Sequence, residues 1–358
     1  MKVLLVVRPD AAEKLGGDVV VAGYAHDALR ALGVDADLIA STQPDLRGYD
    51  VAHVFGIFEP AFARPQIDAV RRFGTPLVVS PIWWDRTALF VASPRVERAL
   101  ARDARAATRA IARVRERERA LVAAPGSGAL RRLREQSALL AAADAVVAAS
   151  EVEAFACSTG LGVTEPSYFI AHYAVEFADD DGAARAARAG VACIGRLESL
   201  KNQAVVLFAL RDLDVDVTLV GRAYDERYAA LCRRWATPRT RFVDRLAAEE
   251  LRALFARSAV HVLASWGDLP GLVSLEAASL GARVIAGARG SEREYLGSEA
   301  SYVDPLDVDG IRRAVVRALE APPRPSGDAL DRRLRARTWR RHAETLLDAY
   351  AHASGERR

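Results

Sequence analysis

The sequence predicts an α/β fold with two domains, each built on a doubly wound parallel sheet. Its 358 residues suit two domains of ordinary size. Short apolar runs alternate with helical stretches along most of the chain. These runs are continuous and rich in β-branched residues, which is typical of strands buried on both faces of a parallel sheet. With 51% hydrophobic and 27% charged residues, the composition is that of a globular protein.

Twelve apolar runs are candidate strands, six in each half of the chain. Those of the first half are 3–7, 35–40, 51–55, 76–80, 145–150 and 167–171. Those of the second half are 191–195, 215–221, 241–243, 260–265, 283–287 and 301–304. Between them the periodicity indicates helices of roughly 10–15 residues, which suits βαβ units. Because ligands of open parallel sheets bind beyond the carboxyl ends of the strands, site residues are sought just after each strand.

The segment EFADDDGAARAARAG, residues 176–190, separates the two sets of strands, and we interpret it as the interdomain linker. Its run of three aspartates is interpreted as solvated linker charge rather than a metal site. The predicted parts are a first domain at 1–175, a second domain at 191–327 and a C-terminal segment at 328–358. Within that last segment the periodicity predicts one helix from about Asp328 to Tyr350.

The N-terminus and the cysteines argue against several classes of protein. The apolar run before Arg8 is too short for a signal peptide or a membrane span. The three cysteines, at 157, 193 and 232, are far apart, and the sequence has no CxxC or Cys/His cluster. Neither a disulfide framework nor a zinc site is therefore indicated. We expect a cytoplasmic protein that holds no metal.

Positive charge is concentrated in one segment, although the net charge is only +3. Residues 95–135 contain 12 arginines against 5 acidic residues. The segment is either a solvated, Arg-rich helical pair or a face for anionic lipid, which would give weak peripheral contact with the inner membrane face. It has neither a nucleic-acid motif nor interleaved aromatics, so no nucleic-acid partner is expected.

The stretch IGRLESLKNQ, residues 194–203, combines two cations at the end of a predicted strand. The strand ends at Gly195, Arg196 follows, and Lys201 opens the next helix. Two cations beside a helix N-terminus would hold a diphosphate. Lys201 is also the only lysine beyond residue 14 in a chain that otherwise uses arginine. The alternative is a surface ion pair between Arg196 and Glu198.

The stretch GDLPGLVSLEAASLG places an acid on each side of a helix start. Asp268 follows a predicted strand, and Pro270 and Gly271 begin the helix. Gly271 allows backbone N–H groups to approach a ligand. Glu276 lies in the otherwise apolar helix, so it is either a solvated surface residue or a buried carboxylate that needs hydrogen-bond partners. A pair of ribose hydroxyls would supply them.

The first half of the chain has weaker candidates for residues facing a cleft. In the loop KLGGD, Gly16 and Gly17 permit close backbone approach, and Asp18 can cap the following helix. This loop either meets a phosphate or acceptor or is an ordinary loop.

Aromatic side chains near strands complete the candidates. His53 and His172 lie near strand ends, where each could contact a ligand or be a structural histidine, and His261 is predicted to lie in the core. The stretch SPIWWD, with Trp83 and Trp84, is either a sugar- or lipid-contacting loop or packing.

The ordered set of motifs resembles retaining glycosyltransferases of the GT-B fold, of the kind grouped as family 4 (glycosyl transferases group 1). The set consists of GRLESLKNQ, VTLVG, EELRALFARSAVHVLAS, DLPGLVSLEAASLGARVIAG and YVDPLDVDGIRRAV, with looser matches at KLGGD and ADAVVAASEVEAF. The resemblance implies two Rossmann-like domains facing a cleft, the first for the acceptor and the second for a nucleotide-sugar donor. It also implies that the final helix packs back on the first domain.

The resemblance implies a role for each matching residue. Arg196 and Lys201, next to Gly195, would hold the donor's diphosphate, and Asp268 would contact the donor sugar. The backbone N–H groups of Gly271, Leu272 and Val273 would meet sugar or phosphate, and Glu276 would bind the ribose. Two departures from the family pattern occur: Asp268 replaces the usual Glu, and HYAVE at 172–176 replaces the usual Asn-Gly.

The function that follows is transfer of a sugar, with retention, from a UDP- or GDP-linked donor. The acceptor would be a growing glycan or a lipid-linked saccharide, and neither metal nor cofactor is expected, because the nucleotide sugar is a substrate. The alternatives are a nucleotide-sugar epimerase of the same fold and a catalytically weak nucleotide-sugar-binding protein.

Overall fold

The computed structural model describes residues 1–14, 16–123, 126–175, 188–325 and 327–355. From the N-terminus, the elements are β1 (Lys2–Val7), α1 (Gly17–Ala31), β2 (Asp35–Ala40), β3 (Val51–Phe55), α2 (Pro60–Phe73), β4 (Leu77–Ser80), α3 (Thr87–Leu100), α4 (Ala104–Ala123), α5 (Ser127–Ala141), β5 (Ala145–Ala148), α6 (Glu151–Gly160) and β6 (Ser167–Ile170).

The second half contains β7 (Ala189–Ile194), a 3₁₀ turn (Ser199–Lys201), α7 (Gln203–Leu210), β8 (Val217–Val220), α8 (Glu226–Arg234), β9 (Thr240–Val243), α9 (Ala248–Arg257), β10 (Ser258–Leu263), α10 (Leu272–Ser279), β11 (Arg283–Gly287), α11 (Glu292–Leu296), β12 (Ser301–Val303), α12 (Val308–Glu320), α13 (Ala329–Arg335) and α14 (Trp339–Ala353). All twelve predicted strands are present, and the predicted α/β class is confirmed.

The chain forms two compact units. The first comprises Met1–Asp85, Gly126–Ala174 and Ala336–Arg358, and the second comprises Arg86–Pro125 and Val175–Arg335. The three aspartates and most of the predicted linker lie at 176–187, outside the described residues.

Each unit contains one six-stranded parallel sheet. The strand order is β2-β1-β3-β4-β5-β6 in the first unit and β12-β11-β10-β7-β8-β9 in the second. In each unit the chain starts at an interior strand of the sheet, adds strands on one side and then returns to the other side. The direction reverses between β1 and β3 in the first sheet and between β7 and β10 in the second. Such reversal points open a crevice at the carboxyl ends of the strands.

Helices α3 and α4 belong to the second unit, although they lie within the sequence range predicted for the first domain. Their apolar residues share one core cluster with β7, β8 and α7; on these two helices they are Leu89, Ala92, Val96, Ala99, Leu100, Ala107, Ile111 and Val114. The spacing of these residues gives each helix one apolar face, and burial against the second sheet's helices removes that face from water. We call α3 and α4 the helical arm.

The C-terminal segment forms two helices where one was predicted. The chain leaves α13 after Arg335, and Thr338 caps α14 by accepting a hydrogen bond from the backbone N–H of Arg341 at 3.2 Å. Helix α13 lies in the second unit and α14 in the first. The apolar periodicity continues across the break, so it did not reveal that the Thr338 cap starts a new helix. Of the described helices, none has the length and apolarity needed to cross a membrane.

Candidate active site

The reversal point of the second sheet brings together residues that are far apart in sequence. Gly195 and Arg196 follow β7, and Lys201 ends the 3₁₀ turn in the same loop. Asp268 lies in the loop after β10, the neighbouring strand. The Lys201 Nζ atom donates a hydrogen bond to Asp268 Oδ1 at 2.5 Å. The predicted cation and the predicted acid therefore meet at the edge of the sheet where ligands of this topology bind.

Two buried amides fix the backbone of these loops. Asn202, which is 3% exposed, donates from Nδ2 to the carbonyls of Ala264 at 3.0 Å and Pro305 at 2.8 Å. Gln203 is fully buried and donates from Nε2 to the carbonyls of Gly195 and Arg196, at 3.2 and 2.7 Å. Since buried amides are costly to leave unpaired, these contacts hold the cation-bearing loop in one conformation.

Arg196 forms an ion pair with Glu198, which was the alternative to its binding a diphosphate. Its Nη2 atom lies 3.0 Å from Glu198 Oε1. Both predicted cations are thus paired with an acid, but neither pair uses all the N–H donors of its cation. An ammonium has three N–H donors and a guanidinium has five, so Lys201 and Arg196 each retain donors for phosphate oxygens.

Helix α10 begins beside Asp268. Gly271 has φ +73°, in the left-handed region that favours glycine, and an added Cβ would be in ordinary van der Waals contact with Asp268 Cβ at 3.5 Å. Leu272 and Val273 form the first turn, where N–H groups have no acceptor within the helix. Glu276 is half-buried in the second turn, and burial raises its pKa to about 7, against a smaller opposing effect of Arg252. A ligand that donates hydrogen bonds to this carboxyl would stabilise its ionised form.

Glu292 is a candidate that the sequence analysis missed. It is 1% exposed at the start of α11, directly after β11, and the neighbouring backbone N–H of Ser291 donates to the Asp268 carbonyl at 3.0 Å. Burial, reinforced by the charge of Asp268, raises the Glu292 pKa well above its usual value. Within the described part of the chain, Glu292 Oε2 and Asp268 Oδ2 are buried without a hydrogen-bond partner. The only available signal was an acid just after a strand.

The glycine loop of the first unit is organised around Arg8. The Arg8 guanidinium donates to Asp18 Oδ2 at 2.7 Å, to Asp10 Oδ1 at 2.5 Å and to the Lys14 carbonyl. Helix α1 starts at Gly17 after Gly16, so Asp18 lies in its first turn and binds Arg8 instead of capping the helix. The loop lies at the reversal point of the first sheet, but its charges satisfy one another.

The histidine candidates separate into core and surface residues. The structure corrects the suggestion that His53 faces a cleft: it is fully buried, with Nδ1 bonded to Tyr350 Oη and Nε2 to Ser80 Oγ, both at 2.8 Å. Burial lowers its pKa to about 3. His261 is also fully buried, as predicted, and its Nε2 lies 3.2 Å from Ser274 Oγ. His172 is half-exposed after β6.

Trp83 is packing rather than a ligand-contacting residue. It is 1% exposed, and its Nε1 donates to Gln136 Oε1 at 2.9 Å. Its backbone N–H donates to the buried carboxylate of Glu153 at 2.8 Å.

Residues 188–321 match the family model for glycosyl transferases group 1. No curated protein sequence matched the chain. Among solved structures, the chain is similar to sucrose-phosphate synthase from Thermosynechococcus elongatus, with 18% identity, a TM-score of 0.66, and 99% of this chain and 96% of that chain covered.

Two further solved structures have the same fold. Anabaena HepE, solved in complex with UDP and glucose, has 15% identity, a TM-score of 0.62, and coverage of 98% of this chain and 95% of its own. The UDP-forming α,α-trehalose-phosphate synthase from Burkholderia xenovorans, solved with glucose-6-phosphate, has 14% identity, a TM-score of 0.61, and coverage of 98% of this chain and 100% of its own. The chain therefore has the GT-B fold, as predicted.

Proposed function

We propose that this protein is a retaining glycosyltransferase that takes a UDP- or GDP-linked sugar as donor. The observation that carries the proposal is the Lys201–Asp268 pair at the reversal point between β7 and β10. In the proposed site Lys201 would hold the leaving diphosphate, and Asp268, which is hydrogen-bonded to Lys201, would contact the donor sugar. The match of residues 188–321 to glycosyl transferases group 1 supports the same assignment.

The proposed mechanism depends on charge that develops as the sugar leaves. Negative charge builds on the diphosphate, where Arg196, Lys201 and the N-terminus of α10 would stabilise it. Asp268 would contact the sugar, and Glu276 would accept hydrogen bonds from the ribose. We expect turnover without a metal ion or a cofactor, because the two cations neutralise the leaving group. Turnover that requires a divalent cation after chelator treatment would contradict that part of the proposal.

The donor is tested first. The measurement is thermal shift and calorimetric titration with UDP-, GDP- and ADP-sugars, and at least one donor is expected to raise the melting temperature saturably. NMR of the product then reads the anomeric configuration, which retention requires to match that of the donor. Failure of every nucleotide sugar to bind would refute the proposal.

Two alternatives give different results in the same assays. An epimerase of this fold would convert the donor in the absence of any acceptor. A catalytically weak binding protein would bind the donor without transfer or hydrolysis, and Asp268→Glu would then test whether the shorter acid limits activity.

The acceptor is proposed to be a growing glycan or a lipid-linked saccharide. The exposed arginines of α4 other than Arg115, which is paired with Asp307, are compatible with an anionic acceptor or with peripheral contact at the inner membrane face. Co-sedimentation with vesicles that contain anionic lipid, at low and high salt, tests the membrane contact. Equal lack of binding at both salt concentrations would exclude it.

A further inference from the structure

The helical arm contacts the loop that carries Lys201. The Ser199 hydroxyl donates to the Glu97 carboxylate of α3, with 2.5 Å between Oγ and Oε1. Ser199 opens the three-residue 3₁₀ turn that ends at Lys201. A hydrogen bond to a carboxylate is stronger than one between neutral groups, so this contact restrains the turn two residues from the cation.

The arm also contacts the loop that carries Asp268, through a single arginine. Both Arg289 Nη atoms donate to the Glu118 carboxylate of α4, and Nη2 also donates to Asp304 Oδ2 at 2.6 Å. The Arg289 guanidinium lies 5.1 Å from the centroid of the Trp266 ring, and Trp266 precedes Asp268 by two residues. Although burial alone would lower the pKa of Arg289, Glu118 and Asp304 raise it above its usual value. The ion pairs with Glu118 and Asp304 hold the guanidinium over the indole ring.

The two contacted loops are themselves joined. The backbone N–H of Trp266 donates to the Leu200 carbonyl at 2.9 Å, next to Lys201. Glu97 therefore contacts the loop of Lys201, Glu118 reaches the loop of Asp268 through Arg289 and Trp266, and the two loops are hydrogen-bonded to each other.

The arm is rich in arginine, and Arg113, Arg115, Arg117 and Arg119 are exposed. Glu118 lies among these cations, yet its side chain is only 15% exposed.

We propose that the helical arm positions the loops that carry Lys201 and Asp268, with Glu97 and Glu118 as its positioning residues. The inference rests on the proposed function and deepens it. It assigns a role in donor turnover to a segment that lies outside the matched residues 188–321. Neither glutamate contacts the donor. Each acts through a neighbour: Glu97 through Ser199, and Glu118 through Arg289 and Trp266.

The arm offers a matched control. Arg115 of α4 forms an ion pair with another part of the second unit, at 3.1 Å from Asp307 Oδ2. Asp307 caps α12. Arg115→Gln therefore removes an arm contact of the same kind and keeps the side chains of Glu97, Glu118 and Arg289.

The first experiment needs no ligand. Amide hydrogen exchange is measured by mass spectrometry on Glu97→Gln, Glu118→Gln and Arg289→Lys. The last variant loses the bidentate contact with Glu118 but keeps the positive charge. Peptides covering 195–203 or 265–272 are expected to exchange faster in these variants and at the wild-type rate in Arg115→Gln. Unchanged exchange in these peptides, or a uniform rise across the whole second unit, would overturn the proposal.

The second experiment separates binding from turnover with a donor that the wild type uses. Glu97→Gln and Glu118→Gln are expected to lower kcat about tenfold or more, because small misplacements of reacting groups are costly, while donor Kd changes less than about threefold. Arg115→Gln should match the wild type in both. Equal losses in kcat in all three variants would show that the arm merely holds the fold. If the wild type bound no donor, the proposed function would fail, while the exchange result would still stand or fall by itself.

Discussion

Glu153 of the first unit and Glu292 of the second are equally buried, each being 1% exposed, yet their carboxylates are bonded very differently. Glu153 Oε1 accepts from the Trp83 N–H at 2.8 Å and Oε2 accepts from the Ala149 N–H at 2.7 Å. Glu292 Oε1 has only a 3.5 Å contact with Ser265 Oγ, and its Oε2 has no partner among the residues that the structure describes.

The hydrogen bonding of a buried acid separates one that stabilises the fold from one available to a ligand. A buried carboxylate with two backbone donors stabilises the loops that it joins. A buried carboxylate left partly unpaired is unfavourable for folding, so its position beside Asp268 calls for another explanation. Donor hydroxyls or phosphate near Lys201 would supply one.

The largest expected effect is on turnover at the site with unpaired acids. Lys201→Ala or Arg196→Ala should each lower the rate of sugar transfer about 10²–10³-fold, because each would remove a positive group from the proposed diphosphate site. The measurement is kcat with the donor identified by titration. Glu153→Gln serves as the control and should retain wild-type turnover per folded molecule. Unchanged turnover in both cation variants would sink the site assignment.

The next effect is on stability and should differ between the two acids. Glu153→Gln should lower the free energy of unfolding by about 2–3 kcal/mol, because the amide cannot replace both charge-assisted hydrogen bonds. Glu292→Gln should not destabilise the protein at pH 8, since the raised pKa of Glu292 shows that folding disfavours its charged form. Urea unfolding followed by circular dichroism checks both variants. A larger loss for Glu292→Gln would reverse the comparison.

The smallest expected effect concerns Glu276 and depends on pH. Its pKa is raised from 4.5 to about 7, so the unfolded chain releases this proton at lower pH than the folded protein does. Stability from this group is therefore present below about pH 4.5 and is lost as the pH rises through 7. Glu276→Gln should raise the free energy of unfolding at pH 8 by about 1–2 kcal/mol relative to wild type and leave it nearly unchanged at pH 4.5.

The same substitution should weaken donor binding, because ribose hydroxyls would bind the ionised carboxylate. Wild-type donor affinity is expected to rise between pH 6 and 8, whereas that of Glu276→Gln should stay flat and be about tenfold weaker at pH 8. Calorimetric titration across this pH range makes the comparison. An identical pH dependence in the two proteins would remove Glu276 from the donor site.

The strands of this protein could be predicted from the sequence because their signal is local. β2, β3 and β11 begin and end at the predicted residues, and the other nine strands differ at their ends. Buried parallel strands are continuous apolar runs, and this property survives without knowledge of the neighbours. The placement of Arg196, Lys201 and Asp268 after strands was predictable for the same reason.

Contacts between polar groups far apart in sequence could not be predicted, whereas the local ion pair of Arg196 and Glu198 was one of the two interpretations. Lys201 and Asp268 are separated by 67 positions, and Glu118 and Arg289 by 171. His53 looked like a residue facing a cleft until Tyr350, 297 positions away, was found to bind it. An acid just after a strand, as at Glu292, is too common a signal to reveal burial.

Local periodicity and strand-end chemistry thus determined the two parallel sheets and the loops where a site could form, since these features depend on residues a few positions apart. Only the tertiary structure decided that α3 and α4 pack on the second sheet, and that the acids near Lys201 are buried and partly unpaired. The physical reason is that an apolar helix face specifies burial without specifying its partner. The partner follows from packing of the whole chain.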